Sequence, residues 1–455
     1  MLLAGAAAWM AEVQHDPFFW DAVQLGSKHA HYFYERGLRW EPLPTAIDSG
    51  HPPVLGYYLA WVWQLAGKTL PISHWAIFPF IAAAVVLLFR MGVRLGGSAL
   101  WGVGLVLLVA ADPVVAAQSG IVGPDIVLLF FFLLAVEGFW VRRWPWAMMG
   151  ILGLCAVSLR GMMTAAGLLA WQVYVQWPAL KRDGKRTVTW MGTFVPGFVF
   201  AGWFLLWHQQ AVGWTGFHPA SPWATAFQPV HGTGVLRNAA VLAWRWADFG
   251  RIFEWVGLAM LTVGLPKRQA IFPWGALLLA MALFLSPSAL FFQNLSAHRY
   301  FLPGFAALHL LFWYCLHQSP LATVRKYALF ALVGVGLLTG NRWIYPHGIA
   351  MGWDATLAHR PYHTLRAEAM QAIEKAGVPL ERIGTAFPNR NTGEDVLLNG
   401  DRRQWAEFEP KTNDYVLISN VFNDVSPEDR HYLQQNRRLL WRRERAGVWI
   451  EWYGY

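Results

Sequence analysis

The sequence predicts an all-α polytopic membrane protein of about ten or eleven transmembrane helices, ending in a small C-terminal α/β domain outside the cytoplasm. Three observations predict it. Of 455 residues, 56% are hydrophobic and only 14% charged, where soluble proteins are nearer a quarter charged. The apolar residues fall in runs long enough to cross a bilayer, which takes about 20 mostly apolar residues. Basic residues cluster in every second connection between those runs, which is the pattern of a chain crossing a membrane with its positive loops inside.

The runs give candidate spans at 73–94, 98–116, 122–141, 146–159, 162–179, 188–207, 252–265, 270–286, 299–317 and 325–341. Backbone in lipid must satisfy its own hydrogen bonds, so these are helices. The basic connections carry Arg90 and Arg94; Arg142 and Arg143; Lys181, Arg182, Lys185 and Arg186; Lys267 and Arg268; and Arg325 with Lys326. All five fall on one side, assigned to the cytoplasm. Residues 12–72, 208–250 and everything after Asn341 then face outward. That parity requires one more span at the start. Residues 1–10 are apolar but about half the needed length, so they read as the stub of a first helix or a truncated start. A cleaved signal peptide is disfavoured because no basic stretch precedes them.

Residues 1–345 thus form the transmembrane unit and 346–455 the outer domain. From Asp354 onward there are 14 Lys and Arg against 15 Asp and Glu, so the formal net charge of +9 belongs to the membrane loops, and nucleic acid is excluded as a partner. Within the domain, 364–376 reads as a helix stopped by Gly377 and Pro379. A strand is expected at 415–422, and Ser426-Pro427-Glu428-Asp429 opens another helix. Residues 438–443 and 448–453 flank Ala446-Gly447 as a hairpin. A recognition or packing role is expected for this domain. Cys155 and Cys315 both lie in spans and read as apolar residues, so no disulfide framework or cysteine metal site is possible.

Ionisable residues at membrane depth or at the mouth of a span are functional candidates by default. Asp21 follows an aromatic run on the outer side, and Asp125 opens the Leu- and Phe-rich span at 122–141. Asp112 closes the span before it. Asp48 and His51 lie in Asp48-Ser49-Gly50-His51-Pro52-Pro53, ahead of an aromatic stretch at 57–65 expected to lie flat on the outer leaflet. Arg160 sits between two spans, and His298-Arg299-Tyr300 opens a late one. A guanidinium at the outer surface suits a phosphate, and a carboxylate facing it suits proton abstraction from an acceptor hydroxyl or amine. Plainer roles stand beside these. Asp125 and Asp112 also fit helix capping, Arg160 and Arg299 also fit anchors reaching for headgroups, and His51 also fits an ordinary loop residue. His29 and His31, two residues apart, lack further ligand spacing, so neither a metal site nor any other cofactor is assigned.

The ordered set Asp21, then His51-Pro52-Pro53, then Pro124-Asp125, then Arg299-Tyr300 with Pro303 resembles the lipid-linked sugar transferases of the GT-C membrane fold. It is similar to the protein O-mannosyltransferase group and the lipid A aminoarabinose transferase, over roughly residues 12–345. Departures are Ala22, where a second acid commonly follows the first, and His51, where Lys is frequent. The resemblance implies an inner-membrane glycosyltransferase of inverting type. It would move a hexose or pentose from a polyprenyl-phosphate donor to an envelope lipid, glycan or protein outside the cytoplasm. It also implies Asp21 as general base, Asp125 as its support, and Asp48, His51, Arg160, His298, Arg299 and Tyr300 as the groups around the carrier phosphate and sugar. The alternatives are a transporter or flippase for a lipid-linked or amphipathic solute, and a non-catalytic assembly or sensory protein.

Overall fold

The computed structural model describes residues 1–180, 184–221, 223–263, 265, 271–345 and 353–455. The chain opens with α1 (Leu2–Val13), passes through a π-helical turn at Val23–Lys28 into α2 (His29–Glu35), and continues as α3 (Val54–Ala66) and the long α4 (Leu70–Gly96). Next come α5 (Ala99–Ala111), α6 (Pro113–Gly120), α7 (Pro124–Trp140), α8 (Trp144–Val157), α9 (Leu159–Leu180), α10 (Gly184–Gly192) and α11 (Val195–Val212). The bundle closes with α12 (Thr233–Ala247), α13 (Arg251–Val263), α14 (Phe272–Phe291), α15 (Leu302–Gln318) and α16 (Thr323–Trp343).

Among the described residues each expected span falls on helices of this set, that at 98–116 on the pair α5 and α6 and that at 188–207 on α10 and α11. Length and composition alone qualify five of the described helices to cross a bilayer, or six if α5 and α6, bent by 79° at Asp112-Pro113, count as one. The difference from ten or eleven is physical. Helices α7 and α8 run 17 and 14 residues, because prolines and extended residues such as Ser158 cut the apolar runs that hydropathy reads through. The expected first helix is present as the 12 residues of α1, packed on α4 and α6. Helix α15 is the axis of the bundle: 83% of the apolar window of His298–Gln318 is buried, against 22% for Thr323–Trp343 at the lipid-facing edge. Helix α13 reaches α16 through a tight approach at Gly250 (φ +83°), where an added Cβ would stand 1.9 Å from the Gly336 carbonyl oxygen. The expected surface helix is α3, which buries Leu55, Leu59 and Trp63 while exposing Trp61 and Leu65.

Two of the five basic connections lie outside the described side chains, those of Lys181, Arg182, Lys185, Arg186 and of Lys267, Arg268. Arg90 and Arg94 both pair with Glu137 near the C-terminal end of α7, while Asp125 sits at its N-terminal end. Twelve helical residues separate these two acids, about 18 Å along the axis. The cluster around Asp125 and the connection carrying Arg90 and Arg94 therefore lie at opposite ends of α7.

The C-terminal lobe holds α17 (Arg360–Lys375), β1 (Ile383–Thr385), α18 (Gly393–Leu397), β2 (Ala406–Glu407), β3 (Tyr415–Ser419), α19 (Pro427–Asn436), β4 (Arg438–Arg445) and β5 (Val448–Gly454). Helix α19 starts where expected, with Ser426 and Asp429 forming a reciprocal capping box. The sheet order is β2-β1-β3-β5-β4, parallel on the β1 side and antiparallel from β3 to β4. Strands β1 and β2 escaped the sequence reading because they are three and two residues long.

The lobe is not a free appendage, since one hydrophobic core runs from the bundle into it. The Phe18 N–H donates to the Val396 carbonyl at 2.9 Å, Phe19 stacks on His359 at 4.4 Å, and Trp20 meets Phe387 edge-on at 5.1 Å. Lys68 and His31 both engage Glu394, which lies in α18. Burial alone would raise this carboxyl. Lys68, the Gly400 N–H and His31 outweigh it and hold Glu394 at about 2, below its ordinary 4.5. A depressed carboxyl contributes stability above its unfolded pKa and loses it on protonation. Amide protection of Gly393–Leu397, corrected for intrinsic exchange, is expected to hold above pH 4.5 and to fall as pH drops toward 2. Glu394→Gln should remove that dependence.

Candidate functional site

The local backbone around Asp21 is unusual. Trp20 adopts φ +57°, a left-handed conformation that a bulky residue takes only when its surroundings impose it. Here the Phe387 ring and the core around Trp20 hold it. The π-helical turn Val23–Lys28 follows immediately, a geometry that tends to gather at functional sites. Gly26 permits that turn to press against the chain before α7, where an added Cβ would lie 2.8 Å from the Val122 carbonyl oxygen. Asp21 is thereby set beside the mouth of α7.

Asp125 lies in the first turn of α7, after Gly123 and Pro124, where the helix's positive end favours a carboxylate. Arg160 reaches it from the start of α9, with Nη1 donating to Asp125 Oδ1 at 3.1 Å. Arg299 comes from the short 3₁₀ turn His298–Phe301 that leads into α15. Its Nη2 donates to Asp21 Oδ2 at 2.5 Å, and its Nε lies 3.6 Å from Asp125 Oδ2. Tyr300 completes the group: the Arg160 guanidinium lies over its ring at 3.8 Å, and its hydroxyl accepts from Arg299 at 3.3 Å. Residues from four distant parts of the chain thus meet in one ion-paired cluster. Asp21 is the most open of its charged members, its side chain 17% exposed against 14% for Arg160, 8% for Asp125 and 4% for Arg299. Asp21 Oδ1 makes no hydrogen bond among the described residues.

The cluster also holds Asp354, which the sequence reading missed. This residue of the C-terminal lobe forms an ion pair with Arg299 Nη1 and is 1% exposed. No local motif announces it, because its significance comes only from the lobe folding back onto the bundle. Three carboxylates now face two guanidiniums, which leaves a formal charge of −1.

His51 borders the cluster, its Nδ1 accepting from the Leu159 N–H at 3.4 Å next to Arg160. Burial, with Arg160 and His29 nearby, holds its pKa down at about 3, so it is neutral near pH 7 and cannot act as a cation toward phosphate. Two other expected members have separate partners. Asp48 accepts from the Gly50 N–H at 2.8 Å and pairs with His208 at 2.8 Å, tying the end of α11 to the turn before His51. His298 points away from Arg299's partners, binding Asp248 at 2.7 Å and stacking on Phe249 at 4.2 Å. Adjacent residues in a 3₁₀ turn project in different directions, so neighbours in sequence need not share a site. His29 binds the Ile47 carbonyl while His31 turns to Glu394. Among the described residues no group of three or more His, Cys, Asp or Glu side chains is arranged to hold a metal ion.

A second charged set lies fully buried in the bundle. Asp112 caps α6 through the Val114 N–H at 2.8 Å and accepts from Arg251 Nη1 at 2.6 Å. His309 lies 3.3 Å from Asp112 and 2.9 Å from Glu254. All four side chains are 0% exposed and pair with one another, while Arg251 Nε and Glu254 Oε2 stay without a hydrogen bond among the described residues. Arg251 and Glu254, three residues apart at the start of a span, carried a sequence signal that the acids elsewhere overshadowed.

No protein family matches the chain, and no curated protein does. Two solved structures match it throughout. These are ArnT from Cupriavidus metallidurans bound to undecaprenyl phosphate and the same protein in the apo state, with TM-scores of 0.55 and 0.54. Each is 12% identical, and each alignment covers 99% of this chain and 97% of the other. The fold is therefore the GT-C fold expected from the motif order, in a multi-pass membrane protein.

Proposed function

We propose that this protein is a membrane glycosyltransferase that moves a sugar from a polyprenyl-phosphate donor to an acceptor on the non-cytoplasmic side. The observation that carries this reading is the meeting of Asp21, Asp125, Arg160 and Arg299 in one cluster at the end of the bundle opposite Arg90 and Arg94. The fold it shares with a structure holding undecaprenyl phosphate supports the donor class. The positive-inside pattern of the loops supports an outward-facing cluster, on the side where nucleotide sugars are not normally supplied.

In this reading Arg299 and Arg160 receive the donor phosphate through charge-assisted hydrogen bonds. Asp21 Oδ1, at the wet edge, takes the proton of the acceptor hydroxyl or amine. The acceptor attacks the anomeric carbon, the bond from that carbon to the phosphate oxygen breaks, and the lipid phosphate leaves with the electron pair. The guanidiniums meet the charge that develops on the leaving group. Asp125 holds Arg160 and Arg299 in place. A single displacement of this kind inverts the anomeric centre. A transporter would line a path across the bundle with polar groups, whereas the set around Asp112 is fully buried and its members pair with one another.

The test is the full chain in lipid nanodiscs with labelled polyprenyl-phosphate sugars and envelope lipid, glycan or protein acceptors. A covalent product is expected, falling about 10²-fold or more in Arg299→Gln. Solute flux with no covalent product would contradict the proposal.

A further inference from the structure

We infer that Asp354 is an internal stand-in for the donor phosphate: its carboxylate occupies the Arg299 edge that the phosphate of a polyprenyl-phosphate sugar takes, and it leaves when the donor enters. This rests on the functional reading above and names the step that opens the site.

Asp354 Oδ1 makes no hydrogen bond among the described residues, and Oδ2 is engaged by Arg299 Nη1 alone. An ionised carboxylate has room for about four acceptor contacts, so this buried group depends on one guanidinium. The other carboxylates of the cluster are fixed more firmly. Asp125 has Arg160 as well as Arg299 and sits at the positive end of α7. Asp21 is set by the strained turn at Trp20. Asp354 lies instead on the three-residue turn Trp353–Ala355, whose carbonyl is tethered to α6 by the Gln118 amide at 2.8 Å. That tether holds the backbone, and it makes no contact with the carboxylate.

Charge points the same way. The cluster already has a formal −1, and adding a phosphodiester anion to it would bring −2 into a poorly hydrated site, which is costly without a further cation. His51 cannot supply one, being neutral near pH 7. Exchanging Asp354 for the phosphate keeps the balance at −1. Planar paired recognition by a guanidinium serves carboxylate and phosphate alike, so the exchange asks nothing new of Arg299.

The probe is undecaprenyl phosphate, with its Kd measured on the full chain in nanodiscs for wild type, Asp354→Asn, Asp354→Ser and Arg299→Gln, at matched thermal stability. Both neutral replacements remove the competitor, so about tenfold tighter binding than wild type is expected in whichever of them folds. Arg299→Gln is expected to lose binding by at least that factor. Unchanged or weaker binding in both Asp354 variants, with Arg299→Gln still defective, would overturn the stand-in and make Asp354 a support for Arg299. Wild-type affinity in Arg299→Gln would overturn the phosphate site itself, and the functional reading with it.

Discussion

Asp21→Asn is expected to lower kcat/KM for sugar transfer by about 10²- to 10⁴-fold, roughly 3–5 kcal/mol of transition-state stabilisation. Asparagine keeps the shape and can still accept from Arg299, but it has no basic oxygen for the acceptor's proton. Folding should change little, because Arg299 keeps Asp125 and Asp354 as partners and Asp21 is the most exposed of the three acids. Undecaprenyl phosphate should still bind. Steady-state transfer and lipid binding, measured on equal amounts of folded protein, separate the two effects. Transfer near the wild-type rate would remove Asp21 from the chemistry.

The largest effect on stability is expected at Arg251. Its guanidinium is fully buried, pairs with Asp112 at 2.6 Å and lies over the Phe305 ring at 3.8 Å. Arg251→Met keeps much of the apolar contact but leaves Asp112 and Glu254 facing each other across His309 without their permanent cation. Removing one partner of a buried ion pair costs about 3–5 kcal/mol, chiefly because the abandoned charge remains in a medium that solvates it poorly. Thermal unfolding in mild detergent should show the loss. Pairing the change with Asp112→Asn should recover part of it, since the stranded charge is then gone. A single variant as stable as wild type would mean that water reaches this set.

Much of the architecture was legible because its causes are local. Hydropathy runs, Pro124 and the Ser426 capping box mark helices through backbone geometry and solvation that act over a few residues. The bend at Asp112-Pro113 was less legible, since apolar composition continues through it and only the missing amide of proline breaks the ladder. At the site, Asp21, Asp125, Arg160, Arg299 and Tyr300 stood out as charges or their neighbours at the mouths of spans, and the fold gathers them. Asp48 and His298 carried the same signal but are consumed by His208 and Asp248. Burial and pairing decide such cases, and neither is written in the spacing. Asp354 was out of reach for the opposite reason. Its partner lies 55 residues earlier in the chain, and their meeting depends on how the lobe seats against Phe18, Phe19 and Trp20.

The account turns on where a lipid phosphate binds, and a cryo-EM structure of the full chain in nanodiscs with undecaprenyl phosphate tests this most directly. It predicts the phosphate on the Arg299 guanidinium within reach of Arg160, with the Asp354 carboxylate turned aside and Asp21 Oδ1 facing the open edge. Lipid phosphate found at the Arg90 and Arg94 end of the bundle, with Arg299 still holding all three carboxylates, would contradict it.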